Sequence, residues 1–126
     1  MAVLIWVLDT TVLVDHLRAL SAATSWLLGL DDVPLASELT RVEVIQGLRS
    51  DEVRAAEQLF AEIDWLPVTE PIARVAGELG RRYRPSHGGI GVVDLVVAAT
   101  ALGAEATLAT ANVRHYPMFP HLAAPY

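Results

Sequence analysis

The stretch Val3-Leu-Ile-Trp-Val-Leu-Asp9 decides the fold class. Its first six residues form a continuous apolar run rich in β-branched and aromatic side chains, which is typical of a parallel strand covered on both faces. The run ends at an aspartate, and in parallel α/β sheets ligands bind beyond the carboxyl ends of the strands. Asp9 is therefore both the end of a predicted central strand and a candidate functional residue.

Helices and short strands alternate along the rest of the chain. Further strands are predicted at Val33–Ala36, where Pro34 favours an edge position, at Trp65–Val68 and at Ala106–Ala109. The tail from Pro117 is expected to wrap over the sheet, where it could add a final short strand. This order predicts an α/β sandwich with a mainly parallel central sheet flanked by helices. The predicted helices are 10–18, 21–28, 37–48, 50–63, 69–84 and 92–102.

Length and composition limit the class of protein. The chain has 126 residues, 53% of them apolar, which predicts one packed domain over residues 1–126 and leaves no room for a second. No apolar run reaches the ~20 uncharged residues of a membrane-spanning helix, and the short apolar N-terminus lacks the basic residues of a secretory signal. We therefore expect a cytoplasmic protein. The absence of cysteine excludes disulfide scaffolds, thiolate metal sites and cysteine nucleophiles.

The charged residues exclude further classes. Nine basic residues stand against fifteen acidic ones, giving a net charge of −6, and all nine are arginine. Chemistry that requires a lysine, such as Schiff-base catalysis or P-loop nucleotide binding, is therefore excluded. The negative charge also argues against tight nonspecific binding of nucleic acid, because that affinity comes mainly from neutralising phosphates. A local basic surface remains compatible with this composition.

Three acidic residues fall where the predicted topology gathers functional groups. Asp9 ends the first strand, Asp94 starts the apolar helix 92–102, and Glu43 lies within the third helix. Each also has a structural interpretation: Asp9 can cap the next helix, Glu43 can be a solvated helix residue, and Asp94 can cap its own helix or stay protonated. We expect Glu43 to point toward the sheet, on a helix face defined by Leu39, Val42 and Gln46.

Together the three carboxylates predict a cation site. Two carboxylates about 4 Å apart repel each other by roughly 4 kcal/mol at an effective dielectric near 20, so a cluster of three is costly without a positive charge. Oxygen ligands without cysteine favour Mg²⁺ or Mn²⁺ over zinc. Such a site can activate a water and neutralise the leaving oxygen of a phosphodiester, which is nuclease chemistry.

Four ordered motifs stand out in the sequence: Leu8-Asp-Thr-Thr-Val-Leu-Val-Asp15, the segment 36–44 around Glu43, the segment 93–102 around Asp94, and Leu108-Ala-Thr-Ala-Asn-Val-Arg-His-Tyr116. They resemble the motifs of the PIN-domain ribonucleases, and the whole chain resembles the VapC-type toxins of bacterial toxin–antitoxin pairs. The resemblance implies a PIN-like α/β/α sandwich, an endoribonuclease that requires Mg²⁺ or Mn²⁺, a VapB-type antitoxin as partner, and a homodimer. Trp26, Leu27 and Leu30 suit the dimer interface or, equally, the core.

The resemblance also implies roles for individual residues. Asp9 and Asp94 are expected to bind the metal, and Glu43 to be a further ligand or the base that orients water. The last motif has Asn112 and His115 where many relatives place an acid. Asn112 is expected to supply an oxygen to the metal or to its waters, and His115 to be a weak ligand, a phosphate contact, or a partly exposed helix residue. Supporting roles are expected for Thr10, Thr110 and His115.

A basic segment supplies the expected RNA contacts. Three arginines surround a tyrosine and precede the loop 85–91, which is rich in proline and glycine and is expected to be exposed. Arginine forks hold phosphates while a tyrosine stacks on a base, although arginines at a helix C-terminus also complement the helix dipole. The segment consists of Arg81, Arg82, Tyr83 and Arg84, and Arg18 and Arg114 extend the expected path.

Two rival functions stay open from the sequence. A phosphatase of the haloacid-dehalogenase type also begins with a strand that ends in aspartate. It needs a lysine and a second acid two residues later, where this chain has Thr11. The other rival is a catalytically impaired PIN-like module that binds RNA or protein, which the altered last motif keeps open.

Overall fold

Four short strands form a fully parallel sheet at the centre of the computed structural model, which describes residues 4–126. They lie in the order β3-β2-β1-β4, so β1 is paired on both sides. The predicted central strand is confirmed in a shorter form, and its predicted start at Val3 lies outside the described residues. The strands are β1 (Trp6–Leu8), β2 (Leu35–Ser37), β3 (Asp64–Leu66) and β4 (Thr107–Ala109).

Six α-helices flank this sheet within residues 4–126, which confirms the predicted α/β/α sandwich. None of them combines the length and the apolar character that crossing a membrane requires. Two single turns of 3₁₀ helix, Ser50–Glu52 and Val113–His115, complete the described elements. The helices are α1 (Thr10–Leu17), α2 (Ser21–Leu28), α3 (Glu38–Gln46), α4 (Val53–Phe60), α5 (Glu70–Tyr83) and α6 (Val92–Gly103).

Helix α6 is the most buried helix and carries much of the core. Its seven successive residues from Leu95 to Ala101 are all buried, as the continuous apolar sequence predicts. Each large aliphatic side chain buried in this way contributes about 1.5–3 kcal/mol. The helix packs against α5 on one side and against β1, β2 and β4 on the other. Its first turn, with Asp94, is therefore fixed at one edge of the sheet.

Strand β2 is internal, so the edge position predicted from Pro34 is wrong. Pro34 stands just before the strand, where its missing N–H removes no bond between strands. Its carbonyl accepts a hydrogen bond from the Asp64 N–H at 3.0 Å and so joins β2 to β3. A proline can therefore stand directly before an internal strand at this position.

Two other segments differ from their predictions. The segment 50–63 is a 3₁₀ turn followed by the shorter helix α4 rather than one continuous helix. The described tail after Pro117 forms turns and extended chain without a strand. Trp26 and Leu27 are partly buried and pack against the core, and the Trp26 ring contacts Trp6 edge-to-face with centroids 5.1 Å apart. Its neighbour Leu28, 82% exposed, projects from α2 instead.

Candidate active site

Asp9 is a buried carboxylate that is surrounded by hydroxyl groups. It is 4% exposed. Its Oδ2 accepts hydrogen bonds from Thr11 Oγ1 at 2.8 Å and from Thr110 Oγ1 at 2.7 Å, and its Oδ1 accepts one from the Tyr116 hydroxyl at 2.8 Å. Within residues 4–126 no arginine or histidine forms an ion pair with it. Because a buried charge without a counter-charge is strongly unfavourable, this arrangement favours a bound cation.

The backbone orients the hydroxyl groups around Asp9. Strands β1 and β4 pair in parallel, so their carboxyl ends lie side by side and place Asp9 next to Thr110. The N–H of Ala111 donates to Thr11 Oγ1 and the N–H of Asn112 donates to Thr110 Oγ1, each at 2.9 Å. Each hydroxyl proton then remains available for the carboxylate. Asp9 occupies the cap position of α1, but its side chain makes no cap hydrogen bond, so the capping interpretation is wrong.

The Tyr116 hydroxyl connects Asp9 to Asp94. It lies 2.8 Å from Asp9 Oδ1 and 3.5 Å from Asp94 Oδ1, on a ring that is 1% exposed. Burial, followed by the negative charges of Asp9, Asp94 and Glu43, raises the pKa of Tyr116 far above its usual range. The hydroxyl therefore keeps its single proton, which can be donated to only one of the two carboxylates at a time.

Asp94 is held by its own helix and by His115. Its Oδ2 accepts a hydrogen bond from the Gly91 N–H at 3.0 Å, which closes the first turn of α6 and confirms the capping interpretation for this atom. The same oxygen lies 3.1 Å from His115 Nδ1. The other oxygen, Oδ1, faces Tyr116. Asp94 thus caps its helix with one oxygen and presents the other to the site.

Glu43 approaches the site from α3. Its Oε1 accepts a hydrogen bond from Thr10 Oγ1 at 2.6 Å. The face predicted for α3 is wrong, because Val42 is 55% exposed and the buried positions are Thr40 and Val44. Glu43 reaches the site from the border of that buried face, so it is not simply a solvated helix residue.

The donor set of this site fits a hard divalent cation. Two carboxylates share one hydroxyl group, and Glu43 is held by Thr10 on the residue that follows Asp9. Among the described residues no three acidic or histidine side chains stand close enough to form a closed metal cage. Mg²⁺ does not need such a cage, because it retains several waters and is commonly held by one or two carboxylates. The uncompensated charge on Asp9 and the oxygen-only surroundings match that preference.

The other predicted site residues do not form one cluster, because they line two separate cavities or make other contacts. Asn112, Arg114 and His115 line an open cavity of about 330 Å³ beside Asp94. Arg81 and Arg84 line a separate groove between α5 and α6, and the loop that follows is exposed, as predicted. Arg82 lies over the Tyr83 ring, 5.3 Å from its centroid, and Arg18 pairs with Glu52.

Sequence reasoning missed Tyr116 and Thr11 as parts of the site. Tyr116 is the last residue of the fourth motif, and nothing in the local sequence indicates that its ring is buried. Thr11 looks like an ordinary residue at the start of a helix. The available signal was their place in the motifs, Thr11 two positions after Asp9 and Tyr116 directly after His115.

The family model of the PIN domain matches residues 6–119. The chain belongs to the PIN-domain family. This PIN domain is 50% identical to Ribonuclease VapC19 of Mycobacterium tuberculosis over 122 residues, which are 94% of this chain and 98% of that protein. The expected family and VapC-type resemblance are thereby confirmed.

Solved structures share the fold of this PIN domain. A toxin–antitoxin complex from Klebsiella pneumoniae contains a chain that matches with a TM-score of 0.81 at 21% identity, covering 95% of this chain and 97% of that one. The structure of VapBC-1 from nontypeable Haemophilus influenzae matches with a TM-score of 0.75 at 25% identity, covering 96% of both chains. The arrangement of β1, β4 and α6 that creates the site is therefore a property of the family fold.

Proposed function

We propose that this PIN domain, as one domain over residues 1–126, is a cytoplasmic endoribonuclease that depends on Mg²⁺ or Mn²⁺ and is the toxin of a VapBC-type pair. One observation carries the proposal. Asp9 is buried with no cationic partner among residues 4–126 and shares the Tyr116 hydroxyl with Asp94, in a chain that is 50% identical to a ribonuclease. A pair of acids in this state is suited to bind a divalent cation.

Each residue of the site has its own role in the proposed phosphodiester hydrolysis. Asp9 and Asp94 would hold the metal, and Asn112 would supply an amide oxygen to it or to its waters. Mg²⁺ held there would supply positive charge that lowers the pKa of a water and stabilises the leaving oxygen. The Glu43 carboxylate, fixed by the Thr10 hydroxyl, orients the attacking water and accepts its proton.

The substrate we propose is single-stranded or looped RNA. Arg81, Arg82 and Arg84 offer exposed guanidinium groups near the end of α5, and Arg114 offers one next to Asn112. If all four contact phosphates, the log–log salt dependence of RNA binding should have a slope near −3, at about 0.7 per single-strand contact. The net charge of −6 limits binding elsewhere on the surface.

We propose a VapB-type antitoxin and a second copy of this chain as its protein partners. A basic side chain of the antitoxin, such as an arginine, would supply a counter-charge to Asp9, which has no ion pair within residues 4–126. Sedimentation of the isolated chain tests the homodimer, and a monomer at micromolar concentration would contradict it. Mixing with a VapB-type partner should suppress RNA cleavage in proportion to complex formation.

The decisive experiment measures RNA cleavage by the purified protein with Mn²⁺ or Mg²⁺ and with EDTA. We expect cleavage with either metal and none with EDTA. RNA binding without cleavage under every metal condition would instead identify an impaired binding module. Hydrolysis of small phosphomonoesters without RNA cleavage would identify a phosphatase.

A further inference from the structure

A second cavity, which we name the histidine pocket, opens beside the acid pair. Its volume of about 330 Å³ lies at the lower end of the range for small-ligand sites. It is formed by the loop between α5 and α6 on one side and by the 3₁₀ turn after β4 on the other. Its lining residues are His87, Gly88, Gly89, Ile90, Asn112, Arg114 and His115.

The histidine pocket has the opposite charge character to the neighbouring acid site. Arg114 is its permanent cation, two imidazole rings line it, and none of its lining residues is acidic. His115 belongs to both sites, because its Nδ1 lies 3.1 Å from Asp94 Oδ2 while its ring lines the pocket. An anion in the pocket would therefore lie one side chain away from the acid pair.

Two glycines keep the histidine pocket open. A Cβ atom on Gly88 would meet nothing within 4 Å, and one on Gly89 would lie 3.8 Å from His115 Nε2. Neither residue has a positive φ angle, so backbone conformation does not require glycine there. The small residues leave space for a ligand beside the His115 ring.

The ring of His87 is oriented although it is exposed. Its Nδ1 lies 2.8 Å from Ser86 Oγ, and its ring packs edge-to-face on Tyr83 with centroids 6.3 Å apart. Imidazole rings and guanidinium planes are the groups on which unstacked RNA bases stack, and arginine forks also bind phosphate. The pocket thus presents both kinds of contact within one small volume.

We propose that the histidine pocket binds one nucleotide of single-stranded RNA next to the phosphodiester that is cut. This proposal rests on the proposed function, because an RNA chain lying at Asp9 and Asp94 must continue past His115. Arg114 binds the phosphate of that nucleotide, and His87 stacks on its base. A basic peptide would meet only positive or neutral groups here, so the pocket favours an RNA segment over an arginine-rich tail.

The first test removes the two contacts that recognise the nucleotide. His87→Ala and Arg114→Gln are compared with Arg54→Gln, which changes an exposed arginine on α4 away from the site. Binding of a fluorescein-labelled single-stranded RNA is measured by anisotropy in EDTA, and kcat and KM are measured with Mn²⁺. We expect Kd and KM to rise about tenfold in each pocket variant, because Arg114→Gln loses a charge-assisted contact and His87→Ala loses a stacking contact, each of about this strength. The kcat and the Mn²⁺-induced rise in Tm should stay unchanged, as should all values for the Arg54 variant.

The second test fills the histidine pocket without removing a charge. Gly89→Leu places a side chain beside the His115 ring, where a Cβ lies 3.8 Å from Nε2, while Gly47→Leu places the same side chain at the end of α3, where a Cβ meets only ordinary contacts at 3.7 and 3.8 Å. Gly89→Leu should weaken RNA binding about tenfold or more, and Gly47→Leu should not. Melting curves establish that both variants are folded.

The outcomes separate this inference from the proposed function. If the wild type cleaves RNA while His87→Ala, Arg114→Gln and Gly89→Leu all keep its Kd and KM, the nucleotide site is refuted and the nuclease assignment stands. If these variants lose affinity for a VapB-type antitoxin but not for RNA, the pocket is a protein contact and the inference is equally refuted. A wild type that neither binds nor cleaves RNA would overturn both.

Discussion

Two buried carboxylates of this PIN domain, Asp9 and Glu52, are stabilised by different kinds of neighbouring group. Glu52, 8% exposed, accepts the Arg49 N–H and the Arg18 Nε–H, each at 2.8 Å. The Arg49 N–H and the Arg18 guanidinium hold the pKa of Glu52 below its usual range. Asp9, 4% exposed, has hydroxyl donors and no ion pair within the described residues. A structural acid thus has its counter-charge within the fold, whereas the acid of the site depends on one from outside.

The largest expected effect comes from neutralising the acids of the site. Asp9→Asn and Asp94→Asn should each reduce RNA cleavage by more than about 100-fold, since loss of residues that merely support metal ligands already reduces activity 10–100-fold. In metal-free buffer both variants should melt at the same or a higher temperature, because repulsion between the two carboxylates is relieved.

Asp51→Asn serves as the control for this pair, since Asp51 is an exposed acid in the 3₁₀ turn before α4. It should leave cleavage and Tm unchanged. If Asp94→Asn cleaves RNA as fast as the wild type, Asp94 has no part in the mechanism.

A smaller effect is expected when the shared hydroxyl is removed. Tyr116→Phe keeps the buried ring but leaves Asp9 and Asp94 without their common donor. We expect the Mg²⁺ concentration for half-maximal cleavage to rise about 10–100-fold, as for other groups that orient metal ligands. Calorimetry with Mn²⁺ should report the same loss of affinity.

Tyr126→Phe is the matched control, because the Tyr126 hydroxyl donates to Asp15 at 2.6 Å and contacts neither acid of the pair. It should not change the metal requirement. If Tyr116→Phe binds Mn²⁺ as tightly as the wild type does, the Tyr116 hydroxyl has no part in metal binding.

The acids of the site can be recognised from the sequence, whereas the tyrosine between them cannot. Asp9 and Asp94 are recognisable because each interrupts an apolar segment, and the penalty for burying a charge is evident from local sequence alone. Tyr116 is not recognisable in this way, since its bond to Asp9 joins residues 107 positions apart. The edge prediction for β2 failed for a related reason. The preference of proline for edge strands is a local rule, but the position of a strand in a sheet depends on its pairing partners. Here β3 pairs with β2 beside the proline through the Pro34 carbonyl, which needs no N–H.

A third prediction concerns the internally compensated acid. Arg18→Ala leaves the buried Glu52 carboxylate without its ion pair and should lower Tm by a small but measurable amount, because the Arg18 side chain is 37% exposed and the pair is only partly shielded from water. The kcat for RNA should stay unchanged, since Arg18 is engaged with Glu52 and with the Gly47 carbonyl. A lower kcat at unchanged Tm would instead assign Arg18 to the RNA path. The double variant Arg18→Ala with Glu52→Gln should recover part of the lost Tm.

The smallest expected effect is on how steeply the free energy of unfolding falls at acidic pH. The pKa of Glu52 is lower in the folded protein than its ordinary value of 4.5, so its contribution to stability is complete above that value. The contribution is lost as pH falls below 4.5 through the folded pKa, because the unfolded chain then binds the proton more readily. Urea unfolding across this range should give a steeper decline for the wild type than for Arg18→Ala. Parallel declines would mean that Glu52 gains nothing from its partner.

The bonds from Asp9 to Thr110 and Tyr116 span 101 and 107 residues. A ribosome must therefore add more than a hundred amino acids after Asp9 before these two donors exist. Until then the nascent polypeptide holds the first acid with no partner on β4 or on the turn that follows it. The centre can therefore assemble only after Tyr116 has been added to the chain.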